Sequence, residues 1–300
     1  MTTDQAPGLG IDAGGTRTRW ALADHAGAIL AEGEVAGLSA LQMGSSAGRA
    51  ILHARLTSLA GAVLAHGKPG AIRAGLTGFG GEDAQLQLWL GTLFDLPASV
   101  ITLCNDIEIA YAACFAPGEG YLVYAGTGSI GAWIDTDGVF HRAGGRGVVL
   151  DDGGGGFSIA REALRHIWRI EDEAPGAWQD SAMARAVFGH IGGSDWALSR
   201  QFIYGQERGA FGQLALAVAA SADADPAASA ILRGAGNELA RLALALKGRF
   251  GPRPVALSGR AATLHPLIAA TMGAALPPDL PLLLAGSEAH LAAARAAAVY

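Results

Sequence analysis

The sequence predicts an α/β fold made of two similar domains, each a β-meander followed by helices. Three observations carry that expectation. A pattern near the start returns later: Gly15-Thr16-x-Thr18-x-x-Ala21-x-x-Asp24-x-x-Gly27 is matched by Gly126-Thr127-x-Ser129-x-x-Ala132-x-x-Asp135-x-x-Gly138 at an offset of 111 residues, which Gly33 and Gly144 keep. Both copies sit in a strand, glycine turn, strand context. Apolar runs of helical spacing follow each copy. A repeat of 20–50 residues would mean a solenoid, whereas a single repeat of this length in 300 residues means two related domains.

The elements follow in order. Leu9–Asp12 is a short strand and Ala13-Gly14-Gly15 a tight turn. Thr16–Ala23 is β-prone, Asp24–Gly27 turns the chain, and Ala28–Val35 is a third strand. Ala47, Ile51, Leu52, Leu56, Leu59 and Val63 have helical spacing. Ile72–Leu76 and Val100–Cys104 are strands, the second ending at Asn105-Asp106 before a helix over Ile107–Phe115. Ala116–Gly120 breaks the chain, and the second copy begins. Phe157–Ile170 is a helix, and residues 178–250 are mostly helical, broken at Gly192-Gly193 and Asp223–Pro226. Val255–Leu257 is a strand, a helix surrounds Leu264–Gly273, and Leu282–Leu284 is a strand. Ser287–Val299 is an Ala-rich helix, with Ser287 as its cap and Glu288 in its first turn.

Composition excludes several classes. Glycine numbers 44, but with no G-x-y period and scattered among apolar runs, which excludes collagen and a disordered linker. A net charge of -6 with no Lys/Arg cluster speaks against a general nucleic-acid binder. No apolar run reaches the roughly 18 residues of a membrane span, so no membrane partner is expected. Met1–Gln5 lacks the basic and apolar regions of a secretory leader, so a cytoplasmic protein is expected. Cys104 and Cys114 form no CxxC or zinc pattern and are read as buried thiols in a reducing compartment. The eight histidines show no HExxH pairing, so no protein-built transition-metal site is expected.

Five segments carry candidate chemistry. In Gly10-Ile11-Asp12-Ala13-Gly14-Gly15-Thr16, glycine amides can cradle an anion and Thr16 adds a hydroxyl. Asp12 suits phosphate only with a cation between them; the alternative is an ordinary hairpin turn. Tyr124-Ala125-Gly126-Thr127-Gly128-Ser129-Ile130-Gly131 matches G-x-G-x-x-G, but a dinucleotide fingerprint must open a helix, and Ala132-Trp133-Ile134 indicates a strand. A second phosphate-binding hairpin fits better. At Asn105-Asp106, a carboxylate at the carboxyl end of a strand suits a general base for a hydroxyl, or equally a helix N-cap. Gly144–Gly156 contains four consecutive glycines after Asp151-Asp152: either backbone cleared for a ligand, with Asp152 accepting sugar hydroxyls and Arg146 meeting an anion, or a flexible surface loop. Leu257-Ser258-Gly259-Arg260 and Ala285-Gly286-Ser287 are small-residue junctions with room for a flat base, the weakest of the five signals.

In this order, from about Leu9 to Ala298, the five segments resemble the actin/Hsp70/sugar-kinase superfamily, with its duplicated ribonuclease-H-like (actin/Hsp70/hexokinase-type) fold. Within it the chain resembles the BadF/BadG-type amino-sugar kinases, the N-acetylglucosamine and glucosamine kinases. Gly144-Gly145-Arg146 followed by Asp152-x-Gly154-x-Gly156, together with Tyr204-Gly205-Gln206, resembles glucosamine kinase most. The resemblance implies domains of residues 1–117 and 118–286, with a C-terminal helix over about 287–300 packing back on the first, and ATP in the interdomain cleft. It implies Gly14, Gly15 and Thr16 as the first phosphate motif, with Asp12 organising Mg²⁺ through water. Gly126, Thr127, Gly128 and Ser129 would be the second, and Ser258, Gly259, Gly286 and Ser287 would flank adenine and ribose. Asp106 would be the catalytic base, with Asn105, Gly145, Arg146 and Asp152 beside the sugar. The implied reaction moves a phosphoryl group from ATP to the 6-hydroxyl of an amino sugar, and a homodimer is common among similar proteins.

Two departures bear on the sugar. N-acetylglucosamine kinases usually carry a sugar-binding Asn after the third strand. Here the stretch is Gly37-Leu38-Ser39-Ala40-Leu41-Gln42, which leaves Ser39 or Gln42 as replacements. Asp151 and Gly153 stand where many relatives have Gly and Glu or Gln. The rival readings are a sugar- and ATP-binding switch without turnover and a dehydratase-activator-type ATPase. The second needs paired cysteines for an iron–sulfur cluster, which the spacing of Cys104 and Cys114 does not suit. A sugar-responsive repressor needs an N-terminal helix-turn-helix, for which eight residues before the first strand do not suffice.

Overall fold

β1 (Gly8–Ala13), β2 (Arg17–Ala23) and β3 (Ile29–Ala36) form an antiparallel meander, because glycine and Asx turns reverse the chain between β-prone runs. The computed structural model describes residues 6–81, 84–286 and 288–299, and it divides into two compact units, Met1–Phe115 with Glu288–Tyr300, and Ala116–Ser287.

In the first unit, α1 (Ser46–Leu64) leads to β4 (Ala71–Leu76), then α2 (Ala84–Phe94), β5 (Ile101–Asn105) and α3 (Asp106–Ala112). The sheet order is β3-β2-β1-β4-β5, with β4 and β5 parallel to β1. The two faces of β1 differ. Leu9, Ile11 and Ala13 join a core with Leu52, Leu56, Leu59 and Val63 of α1 and Leu86, Leu90 and Phe94 of α2. Each such fully buried side chain contributes about 1.5–3 kcal/mol.

The second unit repeats the plan. β6 (Tyr121–Ala125), β7 (Ser129–Ile134) and β8 (Phe140–Gly144) form the meander. Six helices follow: α4 (Gly156–Glu173), α5 (Ala182–Ile191), α6 (Trp196–Gly205), α7 (Arg208–Gly212), α8 (Leu214–Ser221) and α9 (Pro226–Phe250). β9 (Val255–Ser258), α10 (Pro266–Ala275) and β10 (Leu282–Leu284) complete it, in the order β10-β9-β6-β7-β8 with β9 and β10 parallel to β6. Each sheet is thus a three-stranded meander whose first strand leads two parallel strands. α9 covers the sheet through Leu242 and Leu246, against which Gly131 packs without room for a Cβ change beyond close contact. Pro226 at its first turn and Asp225, which accepts from the amides of Ala227 and Ala228, start this helix.

α11 (Ala289–Ala297) belongs to the first unit and packs on the other face of β1 and β2. A Cβ on Gly10 would lie 2.1 Å from the carbonyl oxygen of His290, and one on Gly8 would lie 2.1 Å from the amide nitrogen of Ala298. Glycine at these positions therefore lets helix and strand backbones approach directly. Glu288 is the N-cap position rather than a first-turn residue, and the expected cap, Ser287, lies outside the described residues.

Three further expectations are corrected. α2 was not anticipated; its buried Leu86, Leu90 and Phe94 lie four apart, while Leu88 between them is exposed. The helix after β5 runs over Asp106–Ala112 and not to Phe115. Gly33 pairs across from Trp20 and makes room for its ring, whereas Gly144 pairs with Ile130 at φ +66°, so this glycine match is one residue out of step in the ladders. Among the described residues no single helix is long and apolar enough to cross a membrane.

Candidate functional site

In the first unit the parallel strands β1, β4 and β5 end side by side. Asp12 pairs with Gly75, and Leu76 with both Ala13 and Asn105. This brings Asp12, Thr77 and Asp106 to one carboxyl edge, the place where open α/β sheets bind ligands.

Asp106 opens α3 but does not cap it. Asn105 is the N-cap: its Oδ1 accepts from the Ile107 amide at 3.0 Å, and Glu108 closes a capping box by accepting from the Asn105 amide at 3.2 Å. Asn105 also donates from Nδ2 to the Phe79 carbonyl at 3.2 Å. With Asn105 as the cap, the Asp106 carboxylate is available for other work. Thr77 donates its hydroxyl to Oδ2, and the Ile107 amide donates to Oδ1 at 3.1 Å. Burial pushes this carboxyl above its ordinary value, the Thr77 hydrogen bond pulls it back, and the charge of Asp12 raises it again. A carboxylate moved in this direction is a better proton acceptor. Thr77 had no sequence signal beyond following a strand.

Asp12 is held by Arg19, whose Nη2 lies 2.7 Å from Oδ2, and both side chains are largely shielded from solvent. Oδ1 has no hydrogen-bond partner among the described residues, so Asp12 fits a hydrated Mg²⁺, which takes one or two carboxylates and keeps several waters. Next to it the first hairpin is pinned by the Gly14 amide donating to the Arg17 carbonyl at 3.1 Å. Gly15 and Thr16 are exposed at its tip, and their amides find no acceptor among the described residues. Ser39 and Gln42 form a capping box over the 3-10 turn Ala40–Gly44, and the Ser39 hydroxyl donates to the Thr77 carbonyl at 3.1 Å. They hold the chain beside Thr77.

In the second unit the G-x-G-x-x-G stretch joins two antiparallel strands, so it is not a dinucleotide fingerprint. The hairpin Gly126–Ser129 is fastened from outside. Gly156 and Phe157, at the start of α4, donate to the carbonyls of Gly126 and Thr127, each at 2.9 Å. The Ser129 hydroxyl donates to the Gly153 carbonyl at 2.6 Å. The amides of Thr127 and Gly128 have no acceptor among the described residues, as in the first hairpin.

Within the glycine loop Gly153–Gly156 are buried between hairpin and helices, whereas Arg146, Val149 and Leu150 before them are exposed. Asp152 sits at φ +64°, 8% exposed, with the Gly147 amide donating to Oδ1 at 3.0 Å. Burial raises its pKa, against the Gly147 hydrogen bond. Its Oδ2 lies 2.2 Å from where a Cβ on Gly128 would be. The structure therefore brings Asp152 against the second hairpin. Gly145, at φ +61°, follows β8 with its carbonyl held by Arg142 at 2.9 Å, and Arg146 is exposed. Asp151 is paired with Arg241 at 3.0 Å. Tyr204 is exposed near the end of α6.

Ser258 and Gly286 meet where β9 and β10 end: the Ser258 hydroxyl donates to the Gly286 carbonyl at 3.0 Å. Gly259, at φ +101°, would place a Cβ 2.3 Å from the Ala125 carbonyl oxygen at the end of β6. These junctions, the second hairpin and the Asp152 loop share one edge of the sheet, while Ser287 lies outside the described residues. Burial pushes the Cys104 thiol up to about 12, so it is not a ready thiolate ligand.

Comparisons with known proteins bear on this arrangement. The chain is 38% identical over 73 residues to an N-acetylmuramic acid/N-acetylglucosamine kinase of Clostridium acetobutylicum, covering 24% of each chain. It is 30% identical over 108 residues to an N-acetyl-D-glucosamine kinase of Dictyostelium discoideum, covering 35% of this chain and 33% of the relative. The matches thus span about a quarter to a third of these curated relatives. The structure of a candidate N-acetylglucosamine kinase from Chromobacterium violaceum superposes with a TM-score of 0.68 and 26% identity, over 96% of this chain and 98% of the other. The fold is the duplicated actin/hexokinase type seen in sugar kinases. The family model for the BadF/BadG/BcrA/BcrD ATPases matches residues 9–272, and the chain belongs to that family.

Proposed function

We propose that this chain is an ATP-dependent kinase that phosphorylates the 6-hydroxyl of an amino sugar, N-acetylglucosamine or glucosamine. The observation that carries the reading is Asp106: a carboxylate at the end of β5, released from capping by Asn105, oriented by Thr77 and made more basic by burial. Asp106 accepts the proton of the sugar hydroxyl as that oxygen attacks the terminal phosphorus of ATP, and ADP leaves.

The remaining roles follow from charge and geometry. The open amides of Gly15 and Thr16, with Gly14 setting the turn, receive phosphate oxygens, and so do those of Thr127 and Gly128 between Gly126 and Ser129. Asp12 would hold a hydrated Mg²⁺, which would supply charge neutralisation for the phosphates. Ser258, Gly259, Gly286 and Ser287 border the adenosine. Asn105, Gly145, Arg146 and Asp152 contribute to sugar recognition, Asp152 from beside the second hairpin. Phosphoryl transfer depends mainly on positioning and charge neutralisation, so these parts suffice. The kinases named among the relatives support the substrate class.

A coupled ADP-release assay over glucosamine, N-acetylglucosamine, glucose and N-acetylmannosamine tests the proposal. Turnover is expected with glucosamine or N-acetylglucosamine in excess of glucose. Absence of turnover with all four overturns it.

A further inference from the structure

The second unit carries a cavity of about 610 Å³ between α4 and the first half of α9, lined by residues to which no role has been given above apart from the edge of the glycine loop. Its size falls within the roughly 300–1,000 Å³ of small-molecule sites. One wall is a face of α4 that presents Arg161, Arg165 and Arg169, four residues apart, so the three guanidinium groups stand in a row. Like charges at this spacing weaken a helix, and here they all border the same hollow.

The acids in the lining already have partners. Glu162 pairs with Arg165 and lies 3.5 Å from Arg161. Asp151 and Glu238 share Arg241, at 3.0 and 2.8 Å. Arg169 has neither hydrogen bond nor ion pair among the described residues. With Arg241 counted, four arginines meet three carboxylates around the cavity, which leaves the guanidinium of Arg169 in excess. Beside the arginines, Ala230 and Ile231 of α9 line the hollow with apolar side chains, and Ile159 of α4 is buried behind them.

We infer that this cavity is a binding site for a small phosphate ester. Arg169 holds the phosphate, joined by Arg165 as it exchanges its Glu162 pair for the ligand, because guanidinium forks match phosphate oxygens bidentately and stay charged at any physiological pH. The carbon skeleton lies on Ala230 and Ile231. The site does not depend on the kinase reading, since none of these residues is assigned to ATP or sugar.

Isothermal titration calorimetry on the full chain tests it, with glucose 1-phosphate and inorganic phosphate as probes and a non-hydrolysable ATP analogue present throughout. Glucose 1-phosphate is expected to bind the wild type with a dissociation constant below about 1 mM, and more tightly than inorganic phosphate. The double variant Arg165→Ala/Arg169→Ala is expected to bind it at least about tenfold more weakly. Both arginines are exposed, so the variant should keep its fold, checked by circular dichroism. Ala230→Trp, which crowds the α9 wall and leaves the arginines, should weaken the ester while sparing inorganic phosphate. No binding of the ester, equal affinity in the double variant, or no preference over inorganic phosphate each overturns the assignment. The kinase reading stands or falls separately, on ADP release.

Discussion

Replacing Thr77 by Val removes one hydroxyl and little volume. In the structure that hydroxyl donates to Oδ2 of Asp106 and lowers a carboxyl pKa that burial and Asp12 raise. A hydrogen bond to a charged acceptor contributes about 1.5–3 kcal/mol, and one pKa unit corresponds to about 1.4 kcal/mol. Thr77 and Asp106 are only partly buried, so water replaces part of the loss, and the low end of the range applies. The substitution should then raise the Asp106 pKa further. The assay is kcat/KM for the preferred amino sugar between pH 5 and 9. The acid limb should move to higher pH, with a loss of about tenfold below it and a plateau within a few-fold of wild type. Thr77→Ser, which keeps the donor, should leave the limb in place. A limb that stays put, or moves to lower pH, would refute the link between Thr77 and the base; a purely structural role for Thr77 would lower the plateau alone.

Three other outcomes follow from the same contacts. Gly128→Ala drives a Cβ to 2.2 Å from Asp152 Oδ2, a buried carboxylate held by the Gly147 amide, so it should cost about 1–3 kcal/mol in denaturant unfolding and weaken ATP binding measured by calorimetry. Gly10→Ala meets the backbone of α11 and cannot be relieved by a rotamer change; a loss of at least about 2 kcal/mol and faster proteolysis near the C-terminus are expected. Asp106→Asn should stabilise the fold. Because the folded-state pKa of Asp106 is raised, its ionisation works against folding above the ordinary carboxylate value near pH 4, so the melting temperature of the variant should exceed wild type at pH 7 and converge with it below about pH 4.

Much of the plan was legible because it is written in local chemistry. Gly14-Gly15, Asp24–Gly27 and Asp135–Gly138 are turn residues between β-prone runs, and the strands fall where those turns require. Helix α2 was not, because Leu86, Leu88 and Leu90 alternate as a strand would, and only the packed structure shows that Leu86, Leu90 and Phe94 share the buried face. The capping box of Ser39 and Gln42 is written in the sequence as Ser-x-x-Gln. At Asn105-Asp106 two adjacent residues compete for one cap, and backbone geometry decides between them. Two features depend on tertiary contact alone: Thr77, which touches Asp106 from a neighbouring strand, and Asp152, whose positive φ turns it under Gly128. No local pattern announces either.

The most direct test of Asp106 as the base compares wild type and Asp106→Asn in two measurements on the same preparations: ADP release with saturating N-acetylglucosamine or glucosamine, and binding of a non-hydrolysable ATP analogue. The variant should lose at least about 10²-fold in turnover, as expected for removal of a general base, while binding the analogue within a few-fold of wild type. Turnover close to wild type in the Asn variant would contradict the assignment.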